Sequence, residues 1–132
     1  MVLVDTNVVA YLLVEGDRTA QAQALFARDP DWKSESFALV EFSNLLATYV
    51  RAGKLDADAS GDLLSAAETI LTGLVNLPHA RALSVAIELG VSAYDARFLA
   101  AARSLGTKLV TEDAKLRRAA PALTRSLAQA LE

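Results

Sequence analysis

Cysteine is absent from the chain, and histidine occurs once, as His79. The first absence excludes disulfides, thiolate zinc sites and thiol nucleophiles, and it suits a reducing, cytoplasmic location. The second excludes a multi-histidine metal site and leaves any Ser-His-Asp triad dependent on one residue. That residue follows Pro78 at an expected helix start, where an exposed turn is its ordinary role. No apolar run approaches the roughly 20 residues that span a bilayer, so no membrane association is expected. No basic segment precedes the first apolar run, and Asp5 interrupts that run, so a signal-peptide pattern is missing as well. Low-complexity tracts, internal repeats and linkers are also absent.

What is present is a chain of 132 residues, 53% apolar and 22% charged. That suits one domain over residues 1–132, burying roughly two-thirds of the surface of its unfolded chain. Positive charge is in deficit, with a formal net charge of -3, which at first argues against a polyanionic partner. The deficit is uneven. Residues 1–93 carry twelve acids against six Lys and Arg, whereas residues 94–132 carry seven Lys and Arg against four acids. If Asp95 and Asp113 are metal ligands, only Glu112 and Glu132 oppose those seven cations. A basic flank of this kind is either a phosphate track or a solvated helix face.

Val2-Leu3-Val4 reads as a buried strand, and Asp5-Thr6-Asn7 after it as helix-capping residues. Two short helices are expected next, broken at Glu15-Gly16-Asp17, the second over Arg18–Arg28. A turn at Asp29-Pro30-Asp31 and a strand over Trp32–Glu35 follow. Ser36 is expected to cap a long helix running to about Arg51, stopped by Gly53. Further helices are expected over Asp56–Leu71, from Pro78 to near Gly90, and from Ser92 to Gly106. Third and fourth strands fall at Leu74–Leu77 and Lys108–Thr111. A short basic helix, Pro121 and a last helix end the chain. Short apolar strands alternating with longer helices predict an α/β fold, a parallel sheet covered on both faces. Ligands of such sheets sit outside the carboxyl ends of the strands.

Four acids fall where carboxylates are conspicuous. Asp5 and Asp113 each stand just past a strand, at that carboxyl edge, and each is equally placed to be an N-cap. Glu41 has Phe37 and Leu45 one turn away, so it sits on an apolar stripe, where an ionised acid is costly unless paired or metal-bound. The alternative is a polar helix face of Glu41, Asn44 and Thr48. Asp95 is flanked by Val91, Phe98 and Leu99 at helical spacing, and Ser92-x-x-Asp95 also has capping-box spacing. If the fourth strand stays extended, Thr111 and Asp113 point one way and Glu112 the other. Together, four carboxylates on rigid element ends suit a hard cation such as Mg²⁺ or Mn²⁺, which takes oxygen ligands and activates water at a phosphodiester.

These residues resemble the PIN-domain family, and within it the VapC-type toxins of bacterial toxin–antitoxin pairs. The resemblance covers essentially the whole chain. It rests on Val2-Leu3-Val4-Asp5-Thr6-Asn7, on Glu41 in the long third helix, and on Asp95-x-x-x-x-Ala100-x-Ala102-x-x-x-Gly106-x-x-Leu109-x-Thr111-x-Asp113. It implies a PIN-like three-layer sandwich with a short central parallel sheet of four to five strands between helices. It also implies metal-dependent endoribonuclease activity on RNA, with Asp5, Glu41, Asp95 and Asp113 as the catalytic and metal-holding quartet. Thr6, Asn7 and Thr111 match positions that support the pocket by hydrogen bonding. A homodimer and a cognate antitoxin are the partners it implies.

Two other functions are compatible with parts of this pattern. An aspartate-nucleophile phosphatase similar to the haloacid dehalogenase group would use Asp5, but its Asp-x-Asp motif fails here because Asn7 stands at the third position. A catalytically silent PIN-like module would bind RNA or a partner without cutting, and its intact acids argue against that. For an RNA track, Lys115, Arg117 and Arg118, close after Asp113, are the expected phosphate contacts. Arg97, two residues from Asp95, projects about 160° away from it.

Overall fold

The computed structural model describes residues 1–132, which form five strands and eight helices in largely alternating order. The chain runs β1 (Val2–Val4), α1 (Thr6–Leu13), α2 (Thr19–Arg28), β2 (Trp32–Glu35), α3 (Phe37–Arg51), α4 (Ala57–Ile70) and β3 (Leu71–Val75). It continues through α5 (His79–Leu89), α6 (Ala93–Leu105), β4 (Leu109–Val110), α7 (Ala114–Ala119), β5 (Thr124–Arg125) and α8 (Leu127–Ala130). The strands make one sheet in the order β3-β2-β1-β4-β5, and every neighbouring pair is parallel. This is the expected α/β sandwich.

The alternation of side chains along a strand divides the core in two. Val2 and Val4 face one cluster with Val8, Leu25, Trp32, Phe42 and Leu127, whereas Leu3 faces another with Phe98, Leu99, Leu109 and Leu116. Val110 and Leu109 repeat the division on β4. With both faces covered, strands this short are continuous apolar runs, which is why Val2-Leu3-Val4 is legible at all. Ala96, Ala100, Ala101 and Ala102 are buried along α6, and their small side chains let that helix lie close to its neighbours. No helix is long and apolar enough to cross a membrane.

Three local expectations are corrected. The third strand is Leu71–Val75, not Leu74–Leu77, and it follows α4 with no intervening loop. Trp32 pairs with Leu71 and Glu35 with Val75, and a register irregularity falls between Trp32 and Lys33. Thr72-Gly73 looks like a turn in sequence, but Gly73 lies beneath the Lys33 side chain, where a Cβ would stand 3.4 Å from Nζ. The chain after Pro121 is not one helix either. It forms the two-residue strand β5 on the edge of β4 and then α8, which Ser126 and Gln129 close with a capping box. Finally, Ser36 makes no side-chain cap on α3. The Glu35 carboxylate does that work, its Oε2 accepting from the Phe37 amide at 2.7 Å.

The sheet order places the reversal of winding at β1 and β4. From β1 the chain builds outward through β2 to β3, then returns to lay β4 on the other side of β1. Crevices form outside the carboxyl ends of strands at such a reversal. Leu99 holds α6 against the sheet there and is fully buried. Leu99→Ala is expected to cost about 2–5 kcal/mol, read as a lower urea midpoint with an unchanged denaturant slope.

Candidate active site

Asp5 and Asp113 flank the reversal. The Asp5 amide donates to Val110 O at 3.3 Å, which holds the end of β1 against the end of β4. Asp5 is also the N-cap of α1, its Oδ1 accepting from the Val8 amide at 3.0 Å. Its Oδ2 accepts from the buried Thr111 hydroxyl at 2.5 Å. The same Thr111 oxygen accepts from the Asp113 amide at 3.2 Å, so one hydroxyl ties the two acids together. Asp113 in turn caps α7, accepting from the Leu116 amide at 3.1 Å. Capping and pocket placement, alternatives in sequence, therefore coexist at both positions.

The other two acids come from helices. Glu41 lies in the second turn of α3, and its Oε1 accepts from the Thr6 hydroxyl at 2.7 Å. Asp95 lies in the first turn of α6, with its own amide donating to Ser92 Oγ at 3.0 Å. All four carboxylates line one open cleft of about 730 Å³, together with Thr6, Asn7, Asn44 and Thr48. The polar stripe of α3, Glu41 with Asn44 and Thr48, is thus a wall of the cleft. Phe37 and Tyr94 stand beside Glu41 and Asp95 and form its aromatic edge. Thr111 lies behind Asp5 rather than in the lining.

The cleft is electrostatically strained. Burial pushes the Asp5 carboxyl up to about 6, against the lowering effect of the Thr111 and Val8 hydrogen bonds, and the charges of Glu41 and Asp113 add to the rise. Glu41 is raised as well, by burial first and by Asp95 and Glu35, with the Thr6 hydroxyl opposing. Asp95 is raised by burial and then by Asp113, with Ser92 opposing. The donor set is hard oxygen throughout, which fits Mg²⁺ or Mn²⁺. No three acidic or histidine side chains converge into a ready-made ligand cluster. A cation here would therefore be held by few carboxylates and complete its shell with water, the ordinary habit of Mg²⁺.

The charged residues near the acids are placed differently from one another. Glu112 turns away from the cleft and is bridged by two guanidiniums, Arg18 at 2.6 Å and Arg117 at 3.1 Å. Arg117 also donates to Thr111 O at 3.0 Å. Arg117, expected as a phosphate contact, thus uses its Nη1 to brace the β4–α7 turn. Lys115 is exposed in a small hollow that shares Asp95, Asp113 and Leu116 with the main cleft, and Arg118 is exposed without an ion-pair partner. Arg103 pairs with Glu88.

Sequence reasoning missed Glu35 and its partner Arg97. Glu35 is fully buried, and its Oε1 meets Arg97 Nη2 at 3.2 Å. The signal was available, since Glu35 is an acid at the carboxyl end of a buried strand, close to where Asp5 stands past β1.

The family profile described as the PIN domain matches residues 2–121. Ribonuclease VapC3 of Pyrobaculum aerophilum is 30% identical over 125 residues, which cover 92% of this chain and 95% of that protein. The crystal structure of PAE2754 from Pyrobaculum aerophilum superposes with a TM-score of 0.80 at 24% identity, over 98% of this chain and 90% of that one, a likeness of fold.

The raised Asp5 carboxyl carries a pH signature. A native pKa of about 6 against 3.8 unfolded means that the folded chain binds more protons between those values. Stability associated with Asp5 is thus fully present below pH 3.8 and is lost as pH rises through about 6. Asp5→Asn, which cannot ionise, should stabilise the metal-free protein near neutral pH by on the order of 1–3 kcal/mol. The gain should vanish toward pH 4, and urea unfolding at several pH values measures it.

Proposed function

Because the chain belongs to the PIN-domain family, we propose that it is a metal-dependent endoribonuclease, the toxin of a toxin–antitoxin pair, with residues 1–132 acting as one PIN domain. The observation that carries the activity is the single cleft at the strand reversal lined by Asp5, Glu41, Asp95 and Asp113. The similarity to a protein named a ribonuclease supports RNA as the substrate.

In this reading a divalent cation, Mg²⁺ or Mn²⁺, sits among the four carboxylates, held directly by few of them and otherwise by water. Bound there, the cation would neutralise the crowded acids, polarise a phosphoryl oxygen and lower the pKa of water. The chain's own groups position. Thr111 and Thr6 donate to Asp5 and Glu41, which orients their remaining lone pairs toward the cleft. Exposed Asn7 and Asn44 offer amide donors to phosphate oxygens on either side of the scissile bond. Lys115 and Arg118 supply cations to the strand beyond α7. Arg117, with Nη1 engaged by Thr111 and Glu112, is the weaker candidate of the three.

The partners follow the same reading. A cognate antitoxin would cover the cleft in place of RNA. Exposed Leu83 and Ile87, one turn apart on α5, support self-association into a homodimer.

Cleavage of single-stranded RNA is expected with Mg²⁺ or Mn²⁺ and to stop with a chelator, while Asp95→Asn lowers it about 100-fold or more. Chelator-resistant cleavage would refute the metal-dependent mechanism. For the flanking cations, a charge-neutral Lys115→Gln, Arg118→Gln pair should weaken RNA binding. It should flatten the dependence of binding on salt by about 0.7 in the log–log slope for each phosphate no longer neutralised. An Arg117→Gln chain should lose folding stability instead.

A further inference from the structure

Tyr94 is an aromatic side chain left 64% exposed at the start of α6, one residue before Asp95. It is not a loose surface ring. Phe37 lies against it with ring centroids 5.5 Å apart and planes 18° from parallel. Phe37 is itself held twice. Its amide donates to the fully buried Glu35 carboxylate at 2.7 Å, and the Arg97 guanidinium lies 5.8 Å from its ring centre. Arg97 is in turn locked to Glu35. The Glu35–Arg97 pair, with Glu35 fully buried, thus braces both the amide and the ring of Phe37 behind Tyr94.

The placement relative to the acids is as definite as the stacking. Phe37 and Glu41 lie one helical turn apart on α3, and Tyr94 and Asp95 are adjacent on α6. Each helix therefore delivers a carboxylate with a ring beside it to the same cleft, and α6 adds the buried Phe98. A flat apolar group bound on the rings would lie at a set distance from a phosphate bound at the acids.

From this geometry we infer that Tyr94, backed by Phe37 and pinned through Glu35 and Arg97, is a stacking platform for one unpaired nucleobase beside the scissile phosphate. The inference rests on the nuclease reading and adds the residue that positions its substrate. The base must be swung out of any helix to reach the ring, so the RNA taken is single-stranded at that nucleotide. Stacking is tolerant of base identity, because every base has a π-face. The platform thus sets the register of the strand over the acids rather than a sequence.

The test uses short fluorescein-labelled single-stranded RNAs in which an abasic nucleotide is walked along the chain. Binding is read by anisotropy to the Asp95→Asn protein, and cleavage is read with the parent. An abasic nucleotide at one position next to the cleavage point should weaken binding about tenfold. Adding Tyr94→Ala should cause a similar loss on intact RNA and remove the sensitivity to the abasic position. Tyr94→Phe should keep both, and Tyr94→Leu, apolar but without a π-face, should behave as the alanine variant. Unchanged thermal melting of all three would set these losses apart from misfolding, since Tyr94 is exposed. If the parent cleaves RNA but no abasic position matters, or the Tyr94 variants bind as tightly as their parent, the platform is overturned and the nuclease stands. Loss of RNA binding in Tyr94→Ala with a flat abasic scan also overturns it, because the ring then meets something other than a base. A parent that neither binds nor cleaves RNA overturns both.

Discussion

The pairing of β1 with β4 joins residues more than a hundred positions apart, with Leu3 beside Leu109 and Val4 beside Val110. It consists of two buried residues on each strand, and much of the molecule follows from it. It divides the core, because Leu3 and Leu109 face one helical layer while Val4 and Val110 face the other. It also fixes where the winding reverses, and so where a crevice opens. The segments that extend these strands, Asp5 and the Thr111–Asp113 turn, are thereby set side by side at its floor, and the Thr111 hydroxyl links the two acids.

The arrangement conflicts with the stability of the chain that carries it. Burial and mutual repulsion raise the carboxyls of Asp5, Glu41 and Asp95, so ionising each of them costs the fold. Hydroxyls from Thr6, Thr111 and Ser92 offset part of that cost without neutralising the charge. Local rules are broken where a task requires it, and the compensation comes from neighbours. The capping roles of Asp5 and Asp113 use one carboxylate oxygen of each for the helix that follows.

Charge elsewhere is used for bracing. Glu112 gathers Arg18 and Arg117, which ties the start of α2 to the β4–α7 turn. Glu35 and Arg97 tie the end of β2 to α6, across the two helices that line the cleft. The basic excess of the last third of the chain is consequently smaller in space than in sequence, since Arg97, Arg103 and Arg117 are each engaged by an acid.

The sequence by itself determined the periodic features. Buried strands at Val2–Val4 and Trp32–Glu35, the long helices with their Gly53, Gly90 and Gly106 ends, and the position of Asp5 at a strand's edge are local patterns. Burial on both faces or on one stripe writes such patterns into composition. Asp95 and Glu41 were legible for the same reason, as charges on apolar stripes. Tertiary structure alone decided what depends on a partner distant in sequence. β5 is two residues long, too short for periodicity, and exists because β4 offers an edge. β3 starts at Leu71 because Trp32 pairs with it, although Thr72-Gly73 has the composition of a turn. Whether Arg117 faced a phosphate or an acid, and whether Glu35 capped a helix or met solvent, depended on which opposite charge came within reach. A side chain's partner is a property of three-dimensional distance, and a single sequence carries no record of it.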